Sequence, residues 1–447
     1  MRLVLPFLAL SLSLDLVRSQ IDEDEIPLIS LPGLELLLQT ERELLLNLKN
    51  YATALAAKNL KSRADVEKFL SNSLSSFALV RRMHTDWIHW ELYMKAEIDI
   101  NQKLRIYLPS SDDMNQVTAA MLRLQITYDL QPIEMAAGIL NGKHYKASLS
   151  SRDCFEIGKR LLSQENILYS SHWLYAAIER YQENEVNAIL GFDNLQIYYL
   201  YMETFLKQCN QTFIRSKNTD IESELYLYPY YRCCRGEFDM RLTRLHCRYN
   251  TKTHPFLKLA PLKMEELLMD PYIVLFYDVI SDAEIAEIKK MTRLKLRTNH
   301  ETSFNDNENH TTERIMQRVS DLNGFDLQDS QAMHAMNYIL AAHSEPHYDF
   351  FNVSEDHEMV RGIGDRLATV VFYLSDVEQG GSTVFPHLQI AVHPHKGSAL
   401  MWYNLNNRGE VDERSLHASC PVIIGSKWIT TKWIRERAQM FRKPCFA

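Results

Sequence analysis

Glu345-Pro346-His347-Tyr348-Asp349-Phe350, with His417 and Lys427 downstream, is the stretch that decides how this chain is read. Side chains alternate faces along a strand, so a His and an Asp two residues apart point the same way. A second His from a distant strand completes a set of two imidazoles and one carboxylate. That set leaves three neighbouring coordination positions open, the arrangement of non-heme Fe(II) oxygenases. Lys427, ten residues beyond His417, adds a cation suited to the far carboxylate of a dicarboxylic acid.

A bare His-x-Asp is weak, because sixteen histidines in 447 residues produce such pairs by chance. Its context carries the reading. The distal His lies in Arg414-Ser415-Leu416-His417-Ala418-Ser419-Cys420-Pro421-Val422, ahead of an apolar strand-like run. The competing pair His393-Pro394-His395 has no carboxylate in a matching frame, and no His-Glu-x-x-His of a zinc hydrolase occurs.

These stretches resemble the prolyl 4-hydroxylases, a family of Fe(II)/2-oxoglutarate dioxygenases, and most resemble the α subunit of the animal collagen enzyme. The resemblance runs over nearly the whole chain. It implies Fe(II) on His347, Asp349 and His417, and the distal carboxylate of 2-oxoglutarate on Lys427. Tyr338 and Thr383, the latter in Gly380-Gly381-Ser382-Thr383-Val384-Phe385-Pro386, fall where the family offers hydroxyls to that carboxylate. Arg366 and Trp433 are candidates of second rank, equally suited to structural roles. The implied reaction consumes O₂ and 2-oxoglutarate, releases succinate and CO₂, and hydroxylates C4 of a peptidyl proline. Ascorbate restores iron oxidised in unproductive turnovers. The implied partner is a protein disulfide-isomerase β subunit in an α₂β₂ tetramer, and the implied substrate is a proline-rich, collagen-like chain.

The rest of the sequence is consistent with a secretory-pathway protein. Arg2, the apolar run Leu3 to Leu14 and Val17-x-Ser19 read as a signal peptide over residues 1–19. That run is too short to span a bilayer, and no later run is long enough, which predicts a soluble luminal protein without a membrane span. A net charge of −8 argues against nucleic acid as the main partner. Seven cysteines and sequons at Asn210, Asn309 and Asn352 fit an oxidising lumen. The resemblance implies disulfides Cys234–Cys247 and Cys420–Cys445, leaving Cys154, Cys209 and Cys233. The end of the chain, Pro-Cys-Phe-Ala, is no retention signal. A partner that supplies one would hold the protein in the endoplasmic reticulum lumen.

The expected fold class is α+β, in three parts. Residues 20–143 read as a helical dimerisation domain: Leu37, Glu41, Leu44, Leu48 and Tyr51 recur at helical spacing, and Thr40-Glu41-Arg42-Glu43 has the form of a capping box. Residues 144–235 read as a shortened TPR-like peptide-binding region. One helix pair is visible over 150–185, Tyr198, Tyr199 and Tyr201 are candidate groove residues, and 202–232 shows no second pair. Residues 236–447 read as the catalytic domain, a double-stranded β-helix or jelly roll. Strands are expected at Tyr272 to Tyr277, Leu367 to Leu374, Ala399 to Tyr403, Val422 to Ile424 and Trp428 to Trp433. A helix capped by Ser281 to Glu284 follows the first strand, and the Asn-rich segment 299–313 reads as loop.

Three departures from the family pattern bear on function. Tyr338-Ile339-Leu340-Ala341-Ala342-His343-Ser344 stands where the family has Tyr-Gly-Val-Gly-Gly-Gln-Tyr, so loop glycines are lost and Ser344 replaces an aromatic wall beside the iron. A family His near the cofactor is Arg435 here, which keeps charge but shuttles no proton. These changes keep two rivals in view: a dioxygenase acting on non-collagen proteins, and a non-catalytic binder of proline-rich chains.

Overall fold

The computed structural model describes residues 31, 33–39, 63–86, 109–184, 187, 190–214, 221–238, 246–295, 301–351 and 357–440. The signal-peptide reading, the capping box at Thr40, the sequon at Asn352 and Cys445 lie outside them.

Two antiparallel sheets form the centre of the C-terminal half. The chain-order strands are a small hairpin, β1 (Ile139–Leu140) and β2 (Lys143–His144), then β3 (Cys247–Asn250), β4 (Leu262–Met269), β5 (Tyr272–Tyr277), β6 (Glu301–Phe304), β7 (Met333–Tyr338) and β8 (Ser344–His347). They continue with β9 (Arg366–Tyr373), β10 (Val377–Gly380), β11 (Thr383–Phe385), β12 (Ile390–Val392), β13 (Ala399–Tyr403), β14 (His417–Ser419), β15 (Val422–Gly425) and β16 (Lys427–Arg435). The larger sheet runs β3-β4-β5-β13-β9-β16-β7-β6, the smaller β12-β11-β14-β8, and β10 pairs with β15.

Alternation along the central strands sorts their side chains between two cores. On one face Val274, Phe276, Val370, Phe372, Ala399 and Met401 pack against Ile285, Ile288, Ile315 and Val319 of the helices Asp282–Lys295 and His310–Asn323. On the other, Leu275, Val371, Tyr373, Leu400 and Trp402 meet Phe385 and Val392 of the smaller sheet and Leu388 of the turn between β11 and β12. The site occupies this second space. The run Tyr272–Tyr277 is continuously apolar because both of its faces are covered.

Two expectations are corrected in this half. Of segment 299–313, expected as loop, only residues 305–309 among the described ones are irregular. The segment holds β6 and the start of the helix at His310, because Asn309 accepts from the Thr311 and Thr312 amides and so caps that helix. The Asn309 amide nitrogen also contacts Met291 Sδ at 2.9 Å, so both ends of this side-chain amide are engaged within the fold. The implied disulfides Cys234–Cys247 and Cys420–Cys445 give way to Cys234–Cys420, which spans 186 residues and leaves Cys247 free and exposed on β3. Cys234 ends a helix that packs on the smaller sheet, and this brings it to Cys420.

The helical half is built on the smaller sheet's outer face. Leu74, Phe77, Met121, Leu124 and Trp173 share one core with Ile339, Leu340, Val384, Ala418 and Ile423. Ser73 Oγ donates to the Ile423 carbonyl at 3.0 Å, and Tyr128 Oη donates to the Pro421 carbonyl at 2.6 Å. Within the helices, buried Arg81 bridges Asp86 and Asp153, tying Ser73–Arg81 to Ser151–Ser163. Burial alone would lower this guanidinium, but the two carboxylates outweigh that and raise it.

The expected helix pair is present as Ser151–Ser163 and Ile167–Glu179, where Gly158 lets Leu174 approach. Beyond it, residues 202–214 and 221–232 fall in two further helices, Asn194–Ile214 and Ile221–Arg235, which take different partners rather than forming a second pair. The first packs on Ile167–Glu179 and exposes Tyr198 and Tyr199, with Tyr201 half-buried. The second turns to the catalytic sheet, where Tyr230 and Cys234 dock.

Candidate active site

His347 and His417 become neighbours through strand register. They are antiparallel partners on β8 and β14, with ring centroids 4.4 Å apart. The strand ends at His347, so Asp349 sits just past it in a bend rather than on the strand itself. It still reaches the same space, with Oδ2 at 3.6 Å from His417 Nε2. Ligand atoms of the three residues all lie within 4.8 Å of one another, the only such His/Cys/Asp/Glu group among the described residues. His393 and His395 join no such group: His393 Nε2 contacts the Val377 carbonyl and His395 faces Asp376.

The ring orientations suit a metal. His347 Nδ1 faces the Glu345 carbonyl at 2.7 Å, and His417 Nδ1 faces the Ser415 carbonyl at 3.0 Å. A backbone carbonyl accepts, so each Nδ1 carries the proton and each Nε2 keeps its lone pair for the shared space. Burial pushes the His417 imidazole down to about 4, against the opposing pull of Asp349, so it is neutral and ready to ligate. Burial alone would raise the Asp349 carboxyl, but His417, the Thr369 hydroxyl, His347 and Arg366 outweigh it and hold the group below its ordinary range.

Lys427 opens β16 and is fully buried. Its Nζ donates to Ser419 Oγ at 2.8 Å and Thr383 Oγ1 at 3.2 Å, and lies 5.4 Å from the Tyr338 ring. Tyr373 Oη donates to Thr383 at 2.8 Å. Among the described residues no carboxylate pairs with this ammonium, and burial lowers it to about 7. A buried cation held only by hydroxyls is a receptor for an anion. Ser419 follows His417 by two residues on β14 and so shares its face, about 7 Å along the strand. A chelating group at the imidazoles and a carboxylate at Lys427 are therefore one short diacid apart.

Other candidates take different places. Tyr338 Oη lies 3.3 Å from Met336 Sδ, with its ring against Lys427. Arg366 does not face this pocket. It donates to the Asp349 carbonyl at 3.1 Å, bonds Gln331, and stacks on Phe351 and Trp433 at 4.5 and 4.1 Å. Arg435 is buried, donates to the Gly364 carbonyl and lies over Phe351 at 4.9 Å. Ser344 Oγ lies 3.3 Å from His347 Nδ1. The turn before it is not loosened by the loss of glycines. Leu340 and Ala341 adopt left-handed φ values of 47° and 58°, and Ile339 to Ala341 are buried. Arg123 of the helix Ser111–Tyr128 donates to the Ala341 carbonyl at 3.1 Å and secures the turn. Sequence reasoning missed Ser419, Tyr373, Thr369 and Asn404. Only alternation on the strand after His417 signals the first of these.

Profiles described as prolyl 4-hydroxylase alpha-subunit, N-terminal region, and as 2OG-Fe(II) oxygenase superfamily match residues 30–142 and 333–435. Prolyl 4-hydroxylase subunit alpha-1 of Gallus gallus is 31% identical over 91% of this chain and 93% of its own length. The chain belongs to the prolyl 4-hydroxylase α-subunit family. Subunit alpha-2 of Caenorhabditis elegans is 29% identical over 91% of this chain and 88% of its own. Among solved structures, the collagen prolyl hydroxylase of Paramecium bursaria Chlorella virus-1 aligns at 23% identity and a TM-score of 0.33. It covers 38% of this chain and 98% of that one. The triad, Lys427 and Thr383 all fall inside the matched oxygenase segment.

Proposed function

We propose that this chain is the α subunit of a procollagen-type prolyl 4-hydroxylase, with His347, Asp349 and His417 holding Fe(II). The metal and 2-oxoglutarate, when bound, supply the oxidising chemistry that inserts oxygen at C4 of a peptidyl proline, and ascorbate maintains the ferrous state. The protein's own residues place and shield the reactants. Lys427, with Thr383 and Tyr338 beside it, takes the distal carboxylate of 2-oxoglutarate. Asp349 lowers the net charge at the metal while leaving open positions. Tyr373, Phe385 and Trp402 exclude water behind the site. The observation that carries this reading is the buried Lys427 ammonium, which among the described residues has only hydroxyl partners, one of them on Ser419, one strand repeat from His417.

The finer assignments follow the same reading. The catalytic half is a double-stranded β-helix, and the helices of 144–235 form a TPR-like platform where Tyr198, Tyr199 and Tyr201 take a proline-rich chain. The subunit works in the endoplasmic reticulum lumen as an α₂β₂ tetramer with protein disulfide-isomerase, so the test uses co-expressed protein. A diverged, non-collagen substrate is the second reading, favoured by Ser344, which leaves an apolar wall unbuilt beside His347. The experiment measures succinate release from 2-oxoglutarate with and without Pro-Pro-Gly-type peptides, for the parent and for Ser344→Tyr. Peptide-stimulated succinate supports the collagen reading, and a gain in the variant assigns the missing ring to proline binding. Uncoupled turnover that no such peptide stimulates, in both proteins, favours the second reading.

A further inference from the structure

We infer that Thr369 and Asn404 are positioning residues that orient the Asp349 carboxylate for the metal, through a directed chain of two buried hydrogen bonds. The inference rests on the metal reading of the triad. Thr369 Oγ1 lies 2.6 Å from Asp349 Oδ2, and Asn404 Nδ2 lies 2.9 Å from Thr369 Oγ1. Asp349 is 4% exposed, and Thr369 and Asn404 are fully enclosed.

The direction of the chain follows from proton counting. An ionised carboxylate only accepts, so the single hydroxyl proton of Thr369 goes to Asp349. The Thr369 oxygen must then accept, and this fixes the Asn404 amide with its nitrogen toward Thr369. Asn404 Oδ1 is left buried with no hydrogen-bond partner among the described residues. A fold stabilised for its own sake gains nothing from this arrangement. A Val and a Leu would fill the same inward positions of β9 and of the residue just past β13 without burying an orphan acceptor.

The chain has a use at the carboxylate. Asp349 lies beyond the end of β8, where no ladder bond fixes it. One lone-pair direction of Oδ2 takes the Thr369 proton while the same oxygen faces His417 Nε2 at 3.6 Å. Rotation of the carboxylate away from the imidazoles breaks the bond to Thr369. Arg366, donating to the Asp349 carbonyl, holds the backbone of the same residue. Thr369 lies on β9 and Asn404 directly follows its neighbour β13, with its amide bonded to the Leu367 carbonyl of β9, so the rigid sheet sets the angle of a ligand carried on a bend.

The test is Co(II) binding to the full chain, read from its visible ligand-field bands without turnover, with thermal unfolding as the control for folding. Thr369→Val should weaken affinity roughly 10- to 100-fold and alter the bands. Thr369→Ser, which keeps the hydroxyl, should restore both. Asn404→Leu should weaken affinity less, since Thr369 keeps its proton on Asp349, and it serves where Thr369→Val does not fold. Parental affinity in both Thr369→Val and Asn404→Leu overturns the inference, as does a Ser variant as weak as the Val variant. Absence of Asp349-dependent Co(II) binding in the parent overturns the triad reading and this inference with it. Intact parental binding with insensitive Thr369 and Asn404 overturns this inference alone.

Discussion

The strand that ends in the metal triad and the turn just before it, 339–344, are adjacent in sequence and opposite in what holds them. His347 is placed by register with His417, and Asp349 by hydrogen bonds from the central sheet. The turn faces the other way. Its Leu340 and Ala341 sit in the core of the helical half, and Arg123 bonds its carbonyl. Residues that do chemistry are fixed by the catalytic sheets, whereas the mouth of the site is fixed by the helices. Chemistry can thus stay constant while changes in the turn and helices retune what enters.

That contrast orders the expected effects. The largest is at the triad. Asp349→Ala removes the anionic ligand and should abolish turnover, with metal affinity lowered by more than the roughly 10- to 100-fold typical of an outer-shell change. Hydroxylation near the parental rate would break the assignment.

Leu340→Ala comes next for stability. Its side chain is 4% exposed, so truncation should cost about 2–4 kcal/mol in denaturant unfolding. Ala341→Gly should cost less than about 1 kcal/mol, because relief of the left-handed backbone offsets the lost methyl. Equal, small effects for the two would mean that the turn is not docked as described.

Lys427→Ala should weaken 2-oxoglutarate by roughly 2 kcal/mol, about 30-fold, in an anaerobic titration. The parent carries a pH signature. With the amine lowered to about 7 by burial, it is charged below that pH and neutral above it in the empty pocket. The carboxylate binds the charged form, so affinity should fall as pH rises beyond about 7, with proton uptake on binding. The Ala variant should lose this slope. A flat parental profile would move the carboxylate to another group.

The smallest effect lies at the junction of the two halves. Tyr128→Phe removes the hydrogen bond to the Pro421 carbonyl and should cost about 1 kcal/mol. Because that carbonyl keeps the Gly381 amide at 3.1 Å, a much larger loss would show that this contact carries more of the junction than one bond.

Much of the site was legible because its chemistry is written in short spacings. His347 and Asp349 are two apart, and the strands at Tyr272–Tyr277 and Ala399–Tyr403 fall where apolar runs and Gly turns place them. Contacts between distant segments were not legible. Thr369, in mid-strand, and Asn404, just past a strand, look like ordinary polar residues until the sheet brings them to Asp349. The Cys234–Cys420 pair depends on a helix crossing to the smaller sheet, which spacing alone does not encode. Polar composition misled at 299–313, where Asn309 caps a helix. The tyrosine-rich stretch after residue 202, with Pro229 inside it, hid two helices.

The most direct test of the central claim is succinate formation by the full chain co-expressed with disulfide isomerase, supplied with Fe(II), O₂, 2-oxoglutarate, ascorbate and a proline-rich peptide. The account predicts succinate stoichiometric with 4-hydroxyproline in the peptide, lost in Asp349→Ala. Folded, metal-loaded protein that binds the peptide but forms neither product would contradict it and leave a binding protein on an oxygenase fold.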